Sequence, residues 1–231
     1  MTLPYEEGDP ESKLCILGEA PARNEMRLSR PFVGPSGHLL DQLLHSAGIA
    51  RRECYLINVW PFEVEKRGND VYGKNSGEYL FGSKGFTESG RRATSECAER
   101  LDKCLAHTVV ALGNIPLHYL TGKNRITKWR GSILSTENPD IRVRKLVPTI
   151  HPAAILRGQY LLRYPVVSDL RRAKEQSAFP EVRPTKRTYR LDPSFDEIGE
   201  YLLHCANADA VAFDIIHTPR IIPHLNKFLM G

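Results

Sequence analysis

Leu14-Cys15-Ile16-Leu17-Gly18-Glu19-Ala20-Pro21-Ala22-Arg23-Asn24-Glu25 is the stretch that decides the fold class of this chain. Four apolar residues end at a glycine, and polar residues with a proline follow, so the chain passes from a buried strand into a loop. Similar strand-like runs recur at residues 55–59, 108–112 and 145–150. Between and after them come helical patterns at 36–47, where Leu39, Leu40, Leu43 and Leu44 share a face, and at 88–105, 115–120 and 166–176. This alternation predicts an α/β protein with a mostly parallel sheet flanked by helices. The loop at 18–25 then lies at the carboxyl edge of the sheet, where such proteins keep their sites.

With 231 residues, of which 41% are hydrophobic, the chain can bury one substantial core and a small appendage. A net charge of +5 suits a polyanionic partner and equally an ordinary basic protein. No apolar run is long enough to span a bilayer and no basic-then-apolar leader opens the chain, so a soluble, cytoplasmic protein without membrane partners is expected. The five cysteines, Cys15, Cys54, Cys97, Cys104 and Cys205, form no C-x-x-C pair, which fits a reducing compartment. Cys15 and Cys54, inside apolar strands, read as core residues.

Residues 61–87 break the rhythm, with mixed charges, several glycines and aromatics and no sustained period, and read as a long loop over the carboxyl edge. Past Ala178 the composition turns polar and proline-bearing. The expected organisation is a main domain at 1–178, a linker at 179–187 and an appendage at 188–231 holding a helix at 194–206.

The order of five short segments carries more than any one of them. Gly18-Glu19-Ala20-Pro21-Ala22-Arg23-Asn24-Glu25 with Arg30-Pro31-Phe32-Val33-Gly34 comes first, followed by Tyr55-Leu56-Ile57-Asn58-Val59, Ala111-Leu112-Gly113, Ile126-Thr127-Lys128-Trp129-Arg130-Gly131 and His151-Pro152-Ala153-Ala154-Ile155-Leu156-Arg157. This series, within residues 13–175, resembles the uracil-DNA glycosylase superfamily, in particular its family 4 branch. The resemblance implies a three-layer α/β/α fold around a central, mostly parallel four-stranded sheet. It also implies a DNA glycosylase that flips a nucleotide out of DNA and hydrolyses its N-glycosyl bond. The family 4 branch carries a four-cysteine iron–sulfur cluster. Here the upstream cysteine pair is missing, Phe62 stands at the third ligand's place and only Cys97 aligns with the fourth, so no cluster, no metal and no other cofactor is expected.

On that resemblance, roles fall to particular residues. Phe32 is the wall that stacks on the flipped pyrimidine, or else a core aromatic, and Asn58 can both donate to and accept from the uracil edge. His151 is the donor to the pyrimidine O2 as negative charge develops there, assisted by backbone N–H groups near Gly18, Glu19 and Ala20. Glu25 is expected as a catalytic helper and Glu19 as a pocket residue, with a plain surface charge as the alternative for either. Ala22 stands where strict uracil enzymes have a tyrosine that blocks C5 substituents, so uracil and C5-modified pyrimidines both remain open. Lys123, Arg125, Lys128, Arg130, Arg157 and Arg163 are expected on phosphates. Ile155 and Leu156 either form an exposed wedge that fills the gap left by the flipped nucleotide or begin a helix packed on the core.

One branch of that superfamily inserts a loop after the Asn58 segment whose histidine captures the sugar covalently; here no histidine lies between Arg52 and Arg100 and no motif nominates a Schiff-base lysine, so the resemblance implies a monofunctional hydrolytic route. Ala210-Val211-Ala212-Phe213-Asp214-Ile215-Ile216 resembles the first motif of the proofreading exonuclease of family A DNA polymerases, with Ile216 in place of a metal-binding glutamate. The competing reading is therefore a catalytically weakened glycosylase-fold DNA-binding module associated with, or derived from, a DNA polymerase fusion.

Overall fold

The computed structural model describes residues 6–142, 144–183 and 192–207. The chain divides into two compact units, Met1–Arg183 and Pro184–Gly231. The first unit runs β1 (Glu6–Glu7), β2 (Leu14–Gly18), α1 (Arg23–Leu28), α2 (Pro35–Ser46), β3 (Cys54–Asn58), then β4 (Val64–Arg67), β5 (Asp70–Gly73), β6 (Tyr79–Gly82) and β7 (Gly85–Phe86). It continues through α3 (Glu88–Arg92), α4 (Ser95–Lys103), β8 (Thr108–Leu112), α5 (Asn114–Thr121), α6 (Ile126–Trp129), β9 (Leu134–Ser135), β10 (Lys145–Thr149), α7 (Pro152–Leu156) and α8 (Arg163–Ser177). The second unit shows α9 (Phe195–Ala206), whose N-terminus is capped reciprocally by Ser194 and Glu197. The exonuclease-like segment at 210–216 lies outside the described residues.

The main sheet has the order β1-β3-β2-β8-β10-β9. The four strands expected from the apolar runs are its parallel centre, but the sheet is six-stranded and mixed, because β1 pairs antiparallel with β3 and β9 antiparallel with β10. Both edge strands are two residues long, too short to leave a periodic trace in the sequence. Strand residues alternate between two apolar layers. Cys15, Leu17, Tyr55, Ile57, Val109, Ala111 and Leu146 pack with Leu101 of α4 and Leu120 of α5. Leu14, Ile16, Leu56, Val110, Leu112 and Val147 pack with Leu40, Leu43 and Leu44 of α2 and Leu170 and Ala173 of α8. Two-sided burial explains why these strands read as continuous apolar runs.

The stretch at 61–87 is not a loop. It folds as a second, antiparallel sheet in the order β4-β5-β6-β7, seated on the first layer through Val71, Leu80 and Phe81 and tied by Trp60 and Phe81 edge-on to Phe86, at centroid distances of 5.5 and 5.1 Å. Its strands are two to four residues long, so alternation never accumulates. A signal that could have found it is Gly68-Asn69, a two-residue hairpin turn with Gly68 at φ 64°. The single helix expected at 88–105 is two, α3 and α4. Thr94 Oγ1 donates to the Arg91 carbonyl (2.7 Å) at the break, which satisfies the end of the first helix.

The main unit also extends past residue 178. Lys145 Nζ donates to the carbonyls of Gln176 (2.6 Å) and Phe179, and both Lys145 and Arg183 lie over the Phe179 ring, at 3.6 and 3.8 Å. A lysine with no side-chain exposure at the start of a central strand requires such partners, and they hold Phe179, the first residue of the segment expected as linker.

Candidate active site

Parallel pairing brings the carboxyl ends of β3, β2, β8 and β10 to one edge, with Gly18 opposite Asn58 and Leu112 opposite Thr149. The pairing of β2 and β3 runs on beyond the strands, since Val59 N donates to Gly18 O and Trp60 N to Glu19 O, both at 3.0 Å. From β2 the chain goes first to β3 on one side and later to β8 on the other, so the loop after Gly18 leaves the sheet at its topological switch point.

Asn58, Phe32 and Gly18 form one contact group. A Cβ at Gly18 would stand 2.4 Å from Asn58 Oδ1 and 2.5 Å from Phe32 Cζ, so only glycine lets the amide and the ring approach the strand end. Asn58 is 7% exposed and Phe32 is buried to the same degree. Phe32 adopts φ 52°, unfavourable for an aromatic residue, and needs support. Two features that the sequence did not flag provide it. Arg51 donates to the carbonyls of Pro31 (2.9 Å) and Phe32 (3.2 Å) while its remaining N–H groups pair with Glu7 and Asp41. Gly37 leaves room for the same carbonyl, for a Cβ there would lie 2.0 Å from Phe32 O. Although part-burial pulls the other way, hydrogen bonds from Arg51 and Arg30 hold the Glu7 carboxyl down at about 2.

Glu25, expected as a catalytic helper, is occupied otherwise. Its carboxylate accepts from the backbone N–H groups of Ala22 (3.1 Å), Val33 (3.1 Å) and Gly34 (2.7 Å), and the residue is 4% exposed. It braces the loop after β2 against the turn that carries Phe32, and Gly34 then starts α2 with Pro35 at its first position. Glu19 keeps a carboxylate at the rim, where Oε2 lies 2.9 Å from Lys66 Nζ of β4, a residue the sequence left unremarked. Ala20 is half-buried against the first apolar layer, and Ala22 is exposed at the N-cap of α1.

His151 follows β10 and caps α7. Its Nδ1 accepts from Ala153 N at 3.1 Å, so in the neutral ring the proton sits on Nε2 and that nitrogen is the donor. Burial, then the charges of Lys66 and Arg157, push its pKa down to about 4. Gly113, at φ 92°, would carry a Cβ 3.3 Å from that of His151, which places the histidine beside the end of β8.

The expected DNA contacts divide. Arg125, Lys128, Arg157 and Arg163 are exposed, with Lys128 over the Trp129 ring at 5.3 Å and Arg163 within 3.1 Å of Gln42 Oε1. Lys123 is paired with Glu137 at 2.5 Å. Arg130 departs from expectation: it donates to both oxygens of Asp169 (2.6 and 3.0 Å) and to Pro165 O (2.8 Å), and Asp169 also accepts from Thr149 Oγ1 (2.7 Å). A guanidinium committed to a carboxylate that is 3% exposed fastens α6 to α8 and β10, and releasing it would strand a buried charge. Ile155 is likewise not part of an exposed wedge, since it is 4% exposed in the second apolar layer, and Leu156, 46% exposed, is left at the surface.

Among the described residues no group of three or more His, Cys, Asp or Glu side chains is placed to hold a metal ion. Cys97 is buried in the core and Phe62 packs against the same layer, so the residues present do not fit a thiolate-held cluster.

A mostly parallel sheet that carries an aromatic ring, an amide and an imidazole at its carboxyl edge has the form of an α/β enzyme. Residues 5–173 match the Uracil DNA glycosylase superfamily, and the chain belongs to that family. It is a DNA glycosylase, a hydrolase of N-glycosyl bonds, with DNA as its substrate. The chain is 28% identical to the Type-4 uracil-DNA glycosylase of Thermotoga maritima over 173 residues, covering 73% of this chain and 79% of the relative. It is 25% identical to that of Archaeoglobus fulgidus over 193 residues (74% and 83%). With that of Sulfurisphaera tokodaii it shares 29% identity over 184 residues (76% and 74%). No described helix is long and apolar enough to cross a membrane.

Proposed function

We propose that this enzyme excises uracil, and pyrimidines with a small C5 substituent, from DNA by a monofunctional hydrolytic route that uses no iron–sulfur cluster. The observation that carries the reading is the hydrogen bond from Ala153 N to His151 Nδ1, which in the neutral ring leaves the proton on Nε2 and presents that N–H as a donor. As the glycosidic bond breaks, its electron pair moves onto the pyrimidine and charge develops at O2, which that donor stabilises, while water adds to the sugar carbon and the proton it releases neutralises the departing base. Phe32 stacks on the flipped base and Asn58 reads its edge. Glu25 acts through the loops it braces. Glu19, at the rim, is the carboxylate left to face the positive charge that grows on the sugar. Exposed Ala22 leaves space beside C5. Arg125, Lys128, Arg157 and Arg163 hold phosphates and Leu156 enters the gap left by the flipped nucleotide, whereas Arg130 and Ile155 serve the fold. The second sheet brings Lys66 to Glu19 at the rim of this edge.

The test is incubation with uracil-containing and 5-hydroxymethyluracil-containing oligonucleotides, single- and double-stranded, followed by alkali. Strand breaks at the modified position are expected. Binding without breaks would favour a DNA-binding module over the enzyme reading.

A further inference from the structure

Among the described residues of the first unit, the strongest apolar exposure lies nine to thirteen residues beyond His151. Tyr160, Leu161 and Tyr164 are 70%, 80% and 75% exposed, and Leu156 precedes them. Tyr160 and Leu161 belong to a single 3-10 turn and Tyr164 to the first turn of α8, so the three exposed side chains stand within five residues of chain. Leu162, between them, turns inward onto the second apolar layer. Three large side chains are thus held outward by a fourth packed inward, which is costly to leave in water without use.

Their position relative to the pocket follows from α8. Its last turn lies at the amino edge of the sheet, where Gln176 O meets Lys145 at the start of β10 and Ser177 O meets His107 just before β8, at 2.6 and 2.8 Å. Fifteen residues of helix therefore bring its first turn back to the carboxyl edge, where His151 stands. Exposed Arg157 and Arg163 flank the ridge. Apolar faces interleaved with guanidinium groups suit a strand whose bases are free to stack and whose phosphates need neutralising, and a duplex, with its bases already stacked, offers no such faces.

We propose that Tyr160, Leu161 and Tyr164 form a stacking platform for unpaired bases next to the excised nucleotide, so that the enzyme's preferred substrate is single-stranded or locally unpaired DNA. This inference rests on the glycosylase reading of the same edge.

The test uses the full chain and oligonucleotides of one sequence containing uracil, single-stranded and duplex, with 2-aminopurine beside the uracil. Removing one aromatic face should weaken single-strand binding about ten-fold, so Tyr160→Ala and Tyr164→Ala should each raise Kd for the single strand by that factor and the double variant by more, with a much smaller change for the duplex. The 2-aminopurine quenching that accompanies single-strand binding should be lost in the double variant. Leu105→Ala, an exposed apolar residue just before β8 at the amino edge, is the control and should move neither affinity. If wild type cleaves uracil-DNA while the double variant keeps both affinities and the quenching, the platform is refuted and the glycosylase reading stands. An equal loss for both substrates, or a change of oligomeric state in the double variant with unaltered DNA binding, would also refute it. The glycosylase reading fails separately, if wild type cleaves no uracil-DNA at all.

Discussion

Replacing Glu25 with glutamine separates a brace from a catalyst. In the native loop Oε1 accepts from Val33 N (3.1 Å) and Gly34 N (2.7 Å), and Oε2 from Ala22 N (3.1 Å). Glutamine can place its oxygen on the first two donors, but its amide nitrogen then faces Ala22 N, donor against donor. Stranding that N–H costs about 1–3 kcal/mol, and the two surviving bonds lose their charge assistance, worth about 1 kcal/mol together. A destabilisation of about 2–4 kcal/mol is expected. Urea unfolding followed by tryptophan fluorescence measures it, because Trp60 and Trp129 both lie in the first unit, and the midpoint should fall while the slope stays constant. Glu25→Ala strands all three donors and should cost more. Single-turnover cleavage should slow as Phe32 loses its place, without any new limb in the pH profile. A Glu25→Gln variant that keeps wild-type stability yet loses about 10²-fold or more in rate, the signature of a lost acid or base, would refute the bracing role.

Three further outcomes are expected. His151→Ala should lower the single-turnover rate by about 10²-fold or more with little change in DNA affinity. With the His151 pKa at about 4, below the ordinary 6.5, the wild-type rate should show no histidine limb between about pH 5 and 8 and should fall as pH drops past about 4. Stability should decline over the window from 6.5 down to 4, where the unfolded chain binds the extra proton; a rate limb near 6.5 would sink the tautomer argument. Gly18→Ala, whose Cβ would stand 2.4 Å from Asn58 Oδ1 and 2.5 Å from Phe32 Cζ, should displace both groups, with a stability loss of about 1–3 kcal/mol and a much larger loss of activity. Wild-type cleavage in that variant would show that these groups do not form the pocket. Ala22→Tyr should narrow the substrate range to uracil, read as the ratio of single-turnover rates on uracil and 5-hydroxymethyluracil, and an unchanged ratio would place residue 22 away from C5.

The order of motifs from Gly18 to Arg157 was enough, by itself, to place the chain in its family and to put Gly18, Asn58 and His151 at strand ends, because strands buried on both faces write continuous apolar runs and parallel pairing brings their ends to one edge. Elements of two to four residues stayed illegible for want of length: β1, β9 and the whole second sheet, for which the Gly68-Asn69 turn is a signal that could have been read. What a side chain does once it arrives was decided in three dimensions. Glu25 and Arg130 carry charges that suit catalysis or phosphate as well as structure, and only the folded chain brings the backbone N–H groups of Ala22, Val33 and Gly34 around the one and the buried Asp169 beside the other. Arg51 and Lys66 gained their places beside Phe32 and Glu19 through contacts between segments 19 and 47 residues apart. Local patterning records the period of an element and the burial of its faces, whereas such partnerships exist only after the chain has closed on itself, and sequence spacing carries no signal of them.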